Sequence, residues 1–242
     1  MKALILAGGR GKRLGNVTEG LNKCMLEIQS RPLIEYSLMC VAQIPVIREV
    51  VIVVGYRPQD IRGKFGSAYR GKDILYVSQD EQHGLVHAIE CARPALGSDD
   101  FMLMLGDELM INPRHKEFIA EFQRGGMFAL CGVVKVEDRS LIKRTYSIVQ
   151  LPEGRISRLV EKPNHPTNDI MGTGNCIFKN RILDYISHTP INQNRNEKEL
   201  PDLIQCAIDD GHDVRSFFIC REYVNVNSPE ELDKTQSYFA HL

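Results

Sequence analysis

Near its start the chain runs Ala3-Leu4-Ile5-Leu6-Ala7 into Gly8-Gly9-Arg10-Gly11-Lys12-Arg13, and this junction has the make-up of an anion cradle. Gly8, Gly9 and Gly11 can take positive φ and bring main-chain N–H groups up to an anion with no Cβ in the way. Arg10, Lys12 and Arg13 add three cationic side chains on or beside the same loop. A polyphosphate suits it, cradled by the backbone from Leu6 and Ala7 through Gly11. A glycine-rich turn after a strand is also a common tight connection, so the alternatives need testing on residues. A dinucleotide loop would enter an apolar helix and need an acid after the second strand; this loop stays basic, and Val50–Val54 ends in Gly55, Tyr56 and Arg57. A Walker A loop needs Ser or Thr directly after Gly-Lys, and Gly11-Lys12 is followed by Arg13.

Further along, Ser78 to Ile89 closes a strand and opens a helix. Gln79 offers an amide that donates and accepts, and Gly84 exposes its backbone, so the pair could read the edge of a base; the bland alternative is a polar loop with a helix cap. His83 and His87 read as exposed helix or loop residues. The apolar run Phe101–Leu105 delivers Gly106-Asp107-Glu108 at its C-terminal end, the edge where open α/β sheets bind ligands. An Asp facing polyphosphate there is a credible Mg²⁺ ligand, with Glu108 a weaker second. Glu161-Lys162-Pro163 and the charged run Arg195–Asp202 read in isolation as a solvated turn and a solvated helix start. Ser228-Pro229 has the N-cap and first-turn chemistry of a last helix, with Glu231 at the capping-box position.

These side chains must be positioned by alternating strands and helices. Pro32–Ala42 has the spacing of a helix packed on a sheet through Leu33, Tyr36, Leu38 and Val41. Val50–Val54 is a β-branched run suited to a strand covered on both faces, Pro58–Phe65 is helical, and Ile74–Val77 is the next strand. Strands follow at 128–136, 145–149 and 156–160. A length of 242 residues fits one large α/β domain, and the net charge of −1 argues against a nucleic-acid partner. Seven cysteines without Cys-x-x-Cys spacing read as free thiols in a reducing compartment. Met1 leads straight into the first strand, leaving no room for a signal peptide, and no apolar run is long enough for a bilayer. The expectation is a cytoplasmic protein with no membrane partner and an oligomeric state left open, a homo-oligomer included.

The run Leu-Ala-Gly-Gly-x-Gly-x-Arg-Leu, followed by Thr18, Lys23 and Pro32-Leu-Ile-Glu-Tyr36, resembles the signature of the sugar-1-phosphate nucleotidyltransferases. The resemblance extends in order from residue 3 to about residue 232. It implies a single three-layer α/β/α domain with a mixed, mostly parallel, Rossmann-like sheet: a nucleotide-binding half at about 1–125 and a sugar-phosphate half at about 126–242. It implies that Arg13 holds triphosphate, that Lys23 and Lys162 act near the reacting phosphates, and that Asp107 carries catalytic Mg²⁺. Gln79-x4-Gly84-Leu85 is similar to the thymine- or uracil-reading segment of the family's pyrimidine-using members, so dTTP or UTP is the expected nucleotide. Tyr146, Glu161, Lys162, Gly174 and Glu199 are the implied sugar-phosphate contacts. The second metal ligand aligns with Asn225 or Asn227; Asn227 is preferred, and an amide oxygen can serve without adding charge. Asn22 stands where the family usually has Pro and Ser147 where it often has Gly. The implied reaction moves a nucleoside monophosphate from a pyrimidine nucleoside triphosphate to a sugar 1-phosphate. A CTP-dependent cytidylyltransferase acting on a non-sugar phosphate or phosphonate, or a non-catalytic nucleotide-binding relative, are the alternatives.

Overall fold

The structure, a computed structural model, describes residues 1–11, 14, 20–226 and 228–240. Its first elements are β1 (Lys2–Ala7), the short β2 (Glu27–Ile28) and β3 (Arg31–Pro32), α1 (Leu33–Ala42), β4 (Glu49–Val54), α2 (Pro58–Phe65), β5 (Ala68–Tyr69), β6 (Lys72–Ser78) and α3 (Leu85–Leu96). Then come β7 (Phe101–Leu105), β8 (Glu108–Ile111), α4 (His115–Gln123), β9 (Ala129–Lys135), β10 (Tyr146–Gln150), β11 (Ile156–Glu161) and β12 (Ile170–Phe178). The chain closes with the hairpin β13 (Ile191–Asn192) and β14 (Glu197–Lys198), α5 (Leu200–Asp209), β15 (Val214–Phe218), β16 (Glu222–Asn225) and α6 (Pro229–Ala240).

The main sheet runs β11-β10-β12-β7-β1-β4-β6-β5, with β9 paired to both β12 and β15. Its centre is parallel: β1 lies between β4 and β7, and β4 pairs onward with β6. The apolar runs of β1 and β4 explain this, because a parallel strand needs helices on both faces. Alternate residues point to opposite sides, so each strand feeds two cores. Leu4, Leu6, Val51 and Val53 join Val86, Ile89 and Ala92 of α3 and Leu203 and Ala207 of α5. Ala3, Ile5, Val50 and Ile52 join Ile34, Leu38 and Val41 of α1 and Phe118 and Phe122 of α4. The result is the expected three-layer α/β/α arrangement around a mixed sheet. A third, smaller cluster packs Leu232 of α6 against Leu26, Ile28 and Leu109.

Helix α2 and strand β7 have the expected bounds, and the other elements expected from the sequence differ by one or two residues at their ends, as frayed ends do. Ser228 Oγ accepts from Glu231 N at 3.2 Å, the expected cap of α6. The charged run from Arg195 differs in form: it closes the β13–β14 hairpin, and the helix begins only at Leu200. All seven cysteines are free thiols. Among the described residues no helix is long and apolar enough to cross a membrane. For the site, the decisive consequence is that the C-terminal ends of β1, β4, β6 and β7 fall on one edge, bringing Gly8, Gly55, Gln79 and Asp107 together.

Candidate active site

The glycine loop leaves β1 braced from two sides. Gly8 O accepts from Tyr56 N at 3.1 Å and from Gln82 Nε2 at 2.6 Å. A Cβ on Gly55 would lie 2.9 Å from both Gly8 O and Gln82 Nε2, so the strand end passes too close for any side chain. The Arg10 guanidinium stacks over the Tyr56 ring, 5.4 Å from its centroid. Gly8, Gly9, Arg10 and Gly11 line a cleft of about 470 Å³ together with Lys23, Asp107, Gln79 and Gly84. Gly84 enters α3 at φ +90°, in the left-handed region, and a Cβ there would sit 2.9 Å from Glu197 Oε2.

Lys23 is buried and its Nζ pairs with Asp107 Oδ2. The residue before it sets that position. Asn22, fully buried, donates from Nδ2 to Ala7 O (3.0 Å) and Tyr56 O (2.7 Å), while its Oδ1 accepts from Cys24 N at 2.8 Å. One amide thereby ties the Lys23 turn to the ends of β1 and β4, filling the place where the resemblance led us to expect Pro. Burial pushes the Cys24 thiol far up, which keeps it protonated beside this pair.

A smaller pocket of about 180 Å³ adjoins the cleft across Leu85, Leu105, Arg195 and Glu197. Glu161, Gly174 and Glu199 line it. Arg195 Nη1 lies 3.0 Å from Glu199 and 3.7 Å from Glu161, and Nη2 lies 3.2 Å from Glu197. Lys162 has left-handed φ (+42°), and its Nζ reaches Glu161 at 2.7 Å. Burial and the charge of Glu161 raise the Glu199 carboxyl above its ordinary range, against the pull of Arg195 and Lys162. Tyr146 also lines the pocket, but its hydroxyl donates inward to Thr173 O at 2.7 Å. Its ring, not its hydroxyl, is what the pocket receives.

Behind the pocket stands a buried polar chain. Glu108 Oε1 accepts from Tyr223 Oη (2.5 Å) and Gly174 N (2.9 Å), and Oε2 accepts from Asn175 Nδ2 (2.8 Å). Burial outweighs these three donors and pushes the carboxyl up to about 7. Asn175 Oδ1 meets His115 Nε2 at 2.8 Å, so Nε2 is the donor and buried His115 is neutral. Burial holds the His115 pKa below its usual 6.5, so acidification loads protons onto the unfolded chain first and this residue's contribution to stability falls with pH below about 6.5, whereas Glu108, raised to about 7, contributes in the opposite sense. His115→Gln keeps a donor for Asn175 but does not titrate. The melting temperature of the wild type relative to the variant should therefore fall from pH 7 to pH 5; a constant difference would refute the assignment.

The oxygen donors at this edge are of the kind a divalent cation takes. Asp107 presents a carboxylate to the cleft, and Asn225 stands opposite Glu108 across the β8–β16 pair. Asn225 Oδ1 is buried without a hydrogen-bond partner among the described residues, as an oxygen intended for a cation would be. Among those residues no three His, Cys, Asp or Glu side chains form a cage, and Mg²⁺ typically takes only one or two protein carboxylates beside phosphate and water.

The structure thus gathers Leu6, Gly8, Gly9, Gly11, Lys23, Gln79, Gly84 and Asp107 at the cleft and Tyr146, Glu161, Gly174, Glu199 and Asn225 at the pocket. Ala7 ends β1 beneath the loop, and Lys162 stands beside Glu161. Lys12, Arg13, Thr18 and Asn227 lie outside the described residues. Sequence reasoning missed the braces Asn22 and Gln82, and it left Arg195 without a role although that residue lines both cavities. Its reading of the two histidines needs correction. His83 is exposed, whereas His87 is half-buried and bonded to Gln79, because the first turn of α3 folds back onto the end of β6.

The nucleotidyl transferase family model matches residues 2–223. The chain belongs to that family. Glucose-1-phosphate thymidylyltransferase of Streptomyces griseus is 32% identical over 222 residues, 90% of this chain and 60% of that protein. The low-salt glycan biosynthesis nucleotidyltransferase Agl11 of Haloferax volcanii is 27% identical over 96% of this chain and 64% of its own length. Against these two, the chain spans under two thirds of the relative. UTP–glucose-1-phosphate uridylyltransferase AglF of Haloferax volcanii is 30% identical over 98% of this chain and 95% of its own length. Among solved structures, a UDP-glucose pyrophosphorylase complexed with UDP-glucose superposes with a TM-score of 0.88 at 23% identity, covering 99% of this chain and 98% of that one. UTP-bound UGPase from Acinetobacter baumannii gives 0.82 at 20% identity, covering 98% and 92%. These likenesses identify the fold of the family.

Proposed function

We propose that this chain transfers a nucleoside monophosphate from dTTP or UTP to a sugar 1-phosphate, with residues 1–125 binding the nucleotide and 126–242 the sugar phosphate. The observation that carries this reading is the junction of two cavities at Leu85, Leu105, Arg195 and Glu197: a basic, glycine-walled cleft opens onto a pocket rimmed by carboxylates. The thymidylyl- and uridylyltransferase names of its relatives support the pyrimidine and the sugar phosphate.

A phosphate oxygen of the sugar 1-phosphate attacks the α-phosphorus, forming a P–O bond as the bond to the β-phosphate oxygen breaks and pyrophosphate leaves. Positioning and charge neutralisation are the protein's contribution. The glycine loop, with Lys12 and Arg13, cradles the leaving phosphates; Lys23 neutralises charge near the α-phosphate. Lys162 and Arg195 draw the acceptor phosphate to the junction, and Glu161 and Glu199 accept sugar hydroxyls. Asp107, with Asn225 and Asn227, would hold Mg²⁺, which when bound offsets triphosphate charge.

Pyrophosphate release in Mg²⁺ buffer tests the reading when dTTP, UTP, CTP, ATP and GTP are each crossed with sugar 1-phosphates and phosphocholine. Turnover is expected with dTTP or UTP and a sugar 1-phosphate. Turnover confined to CTP and phosphocholine would replace the reading with a cytidylyltransferase, and nucleotide binding without turnover would favour a non-catalytic relative.

A further inference from the structure

Gln79 is buried where the base-reading loop meets the glycine loop, and which end of its amide faces the cleft decides what it can read. The amide nitrogen and oxygen are told apart only by their partners. Here the partners decide. Gln79 Nε2 lies 3.0 Å from Gly84 O, a carbonyl that can only accept, so the NH₂ end must face Gly84. Its second N–H points at His87 Nδ1, 3.1 Å away, which must then be the bare, accepting nitrogen of the ring. That places the imidazole proton on Nε2, directed at Cys91 Sγ 3.7 Å away, a weak acceptor.

With both N–H groups engaged, Gln79 Oε1 is left on the Gly8 side, 3.2 Å from where a Gly8 Cβ would stand, and accepts no hydrogen bond among the described residues. The cleft therefore presents an acceptor. Uracil and thymine carry an N–H at position 3, in the middle of the pairing edge, whereas cytosine carries a lone pair there. Set against position 3, an acceptor at Gln79 attracts the first two and repels the third, whose donor on that edge is the neighbouring 4-amino group.

We infer that His87 is a positioning residue for base choice: by accepting from Gln79 it fixes the amide with Oε1 toward the cleft, so that the site takes uracil or thymine and rejects cytosine. This deepens the proposed function and rests on its placing of the base at Gln79 and Gly84. The signal in the sequence is slight, a histidine three residues into a helix, because its partner lies eight residues back, just past the end of β6.

Affinities for UTP, dTTP and CTP, measured by calorimetry alongside pyrophosphate release, test the inference. The wild type should prefer UTP or dTTP to CTP. His87→Leu, which cannot accept, should lower that preference by about tenfold, the worth of one neutral hydrogen bond, while His87→Gln, which can, should largely keep it. In a Gln79→Leu background the His87→Leu change should leave the preference where Gln79→Leu alone puts it. A merely structural role for His87 would weaken all nucleotides alike. An unchanged UTP:CTP ratio in His87→Leu, or a wild type that binds CTP as well as UTP, overturns the inference. His87→Ala gives the same reading should the leucine variant not fold. If the ratios behave as expected but no sugar phosphate supports turnover, the proposed reaction fails and the role of His87 stands.

Discussion

Lys23→Ala should lower pyrophosphate release by roughly two to four orders of magnitude, the usual effect of removing one preorganised charge from a transition state. Lys23 is suited to that test because its backbone is held independently of its side chain. Asn22 anchors the turn through three hydrogen bonds that the alanine variant keeps. The ammonium disappears, but the turn, the glycine loop and the base loop stay where they are. Loss of rate should consequently exceed any loss in nucleotide affinity, and the melting temperature should move little, since the lost Lys23–Asp107 pair leaves an acid that is partly open to water. Steady-state kinetics with the best substrate pair, together with nucleotide titration, separate these effects. A turnover within threefold of wild type would remove Lys23 from the mechanism.

The second large effect belongs to stability. In Gly172→Ala the new methyl would lie 2.0 Å from Tyr146 Cε2 and 2.1 Å from Cζ, well inside contact distance. The ring has little room to yield: it is buried, and its hydroxyl is tied to Thr173 O on the same strand as Gly172. Overpacking of this kind costs about 1–3 kcal/mol in an ordinary core, and the upper end or beyond is expected where the obstacle is a pinned aromatic ring. Urea unfolding of Gly172→Ala, compared with the same change in a Tyr146→Ala background, measures it. In the background lacking the ring the methyl should cost far less, and equal costs in both would show that the clash is not with Tyr146. Because the ring lines the acceptor pocket, the single variant should also raise KM for the sugar phosphate more than for the nucleotide.

Much of the site was legible because its first components are local. A buried apolar strand that breaks into glycines, and another that ends in Gly106-Asp107, announce both the element and its functional end, since strand period and the edge rule for open sheets act over a few residues. The strand end and helix start that flank Gln79 and Gly84 were legible for the same reason. What the sequence left open are contacts between distant segments. Glu197 comes to rest on Gly84, Asn175 on Glu108, and Gln82 on Gly8, each pair brought together by strand order and not by spacing. Arg195 looked like part of a solvated charge run because nothing local says that the β13–β14 hairpin hangs over the junction of the cavities.

By itself, then, the sequence determined the alternation of strands and helices, the basic glycine loop after β1, the acid at the end of β7 and the family resemblance that names a reaction. Only the tertiary structure decided which way Gln79 faces, what holds Lys23 in place and how the acceptor pocket is floored. The reason is physical. Hydrophobic period is a property of consecutive residues, whereas the direction of a hydrogen bond depends on which donor or acceptor the fold sets opposite it.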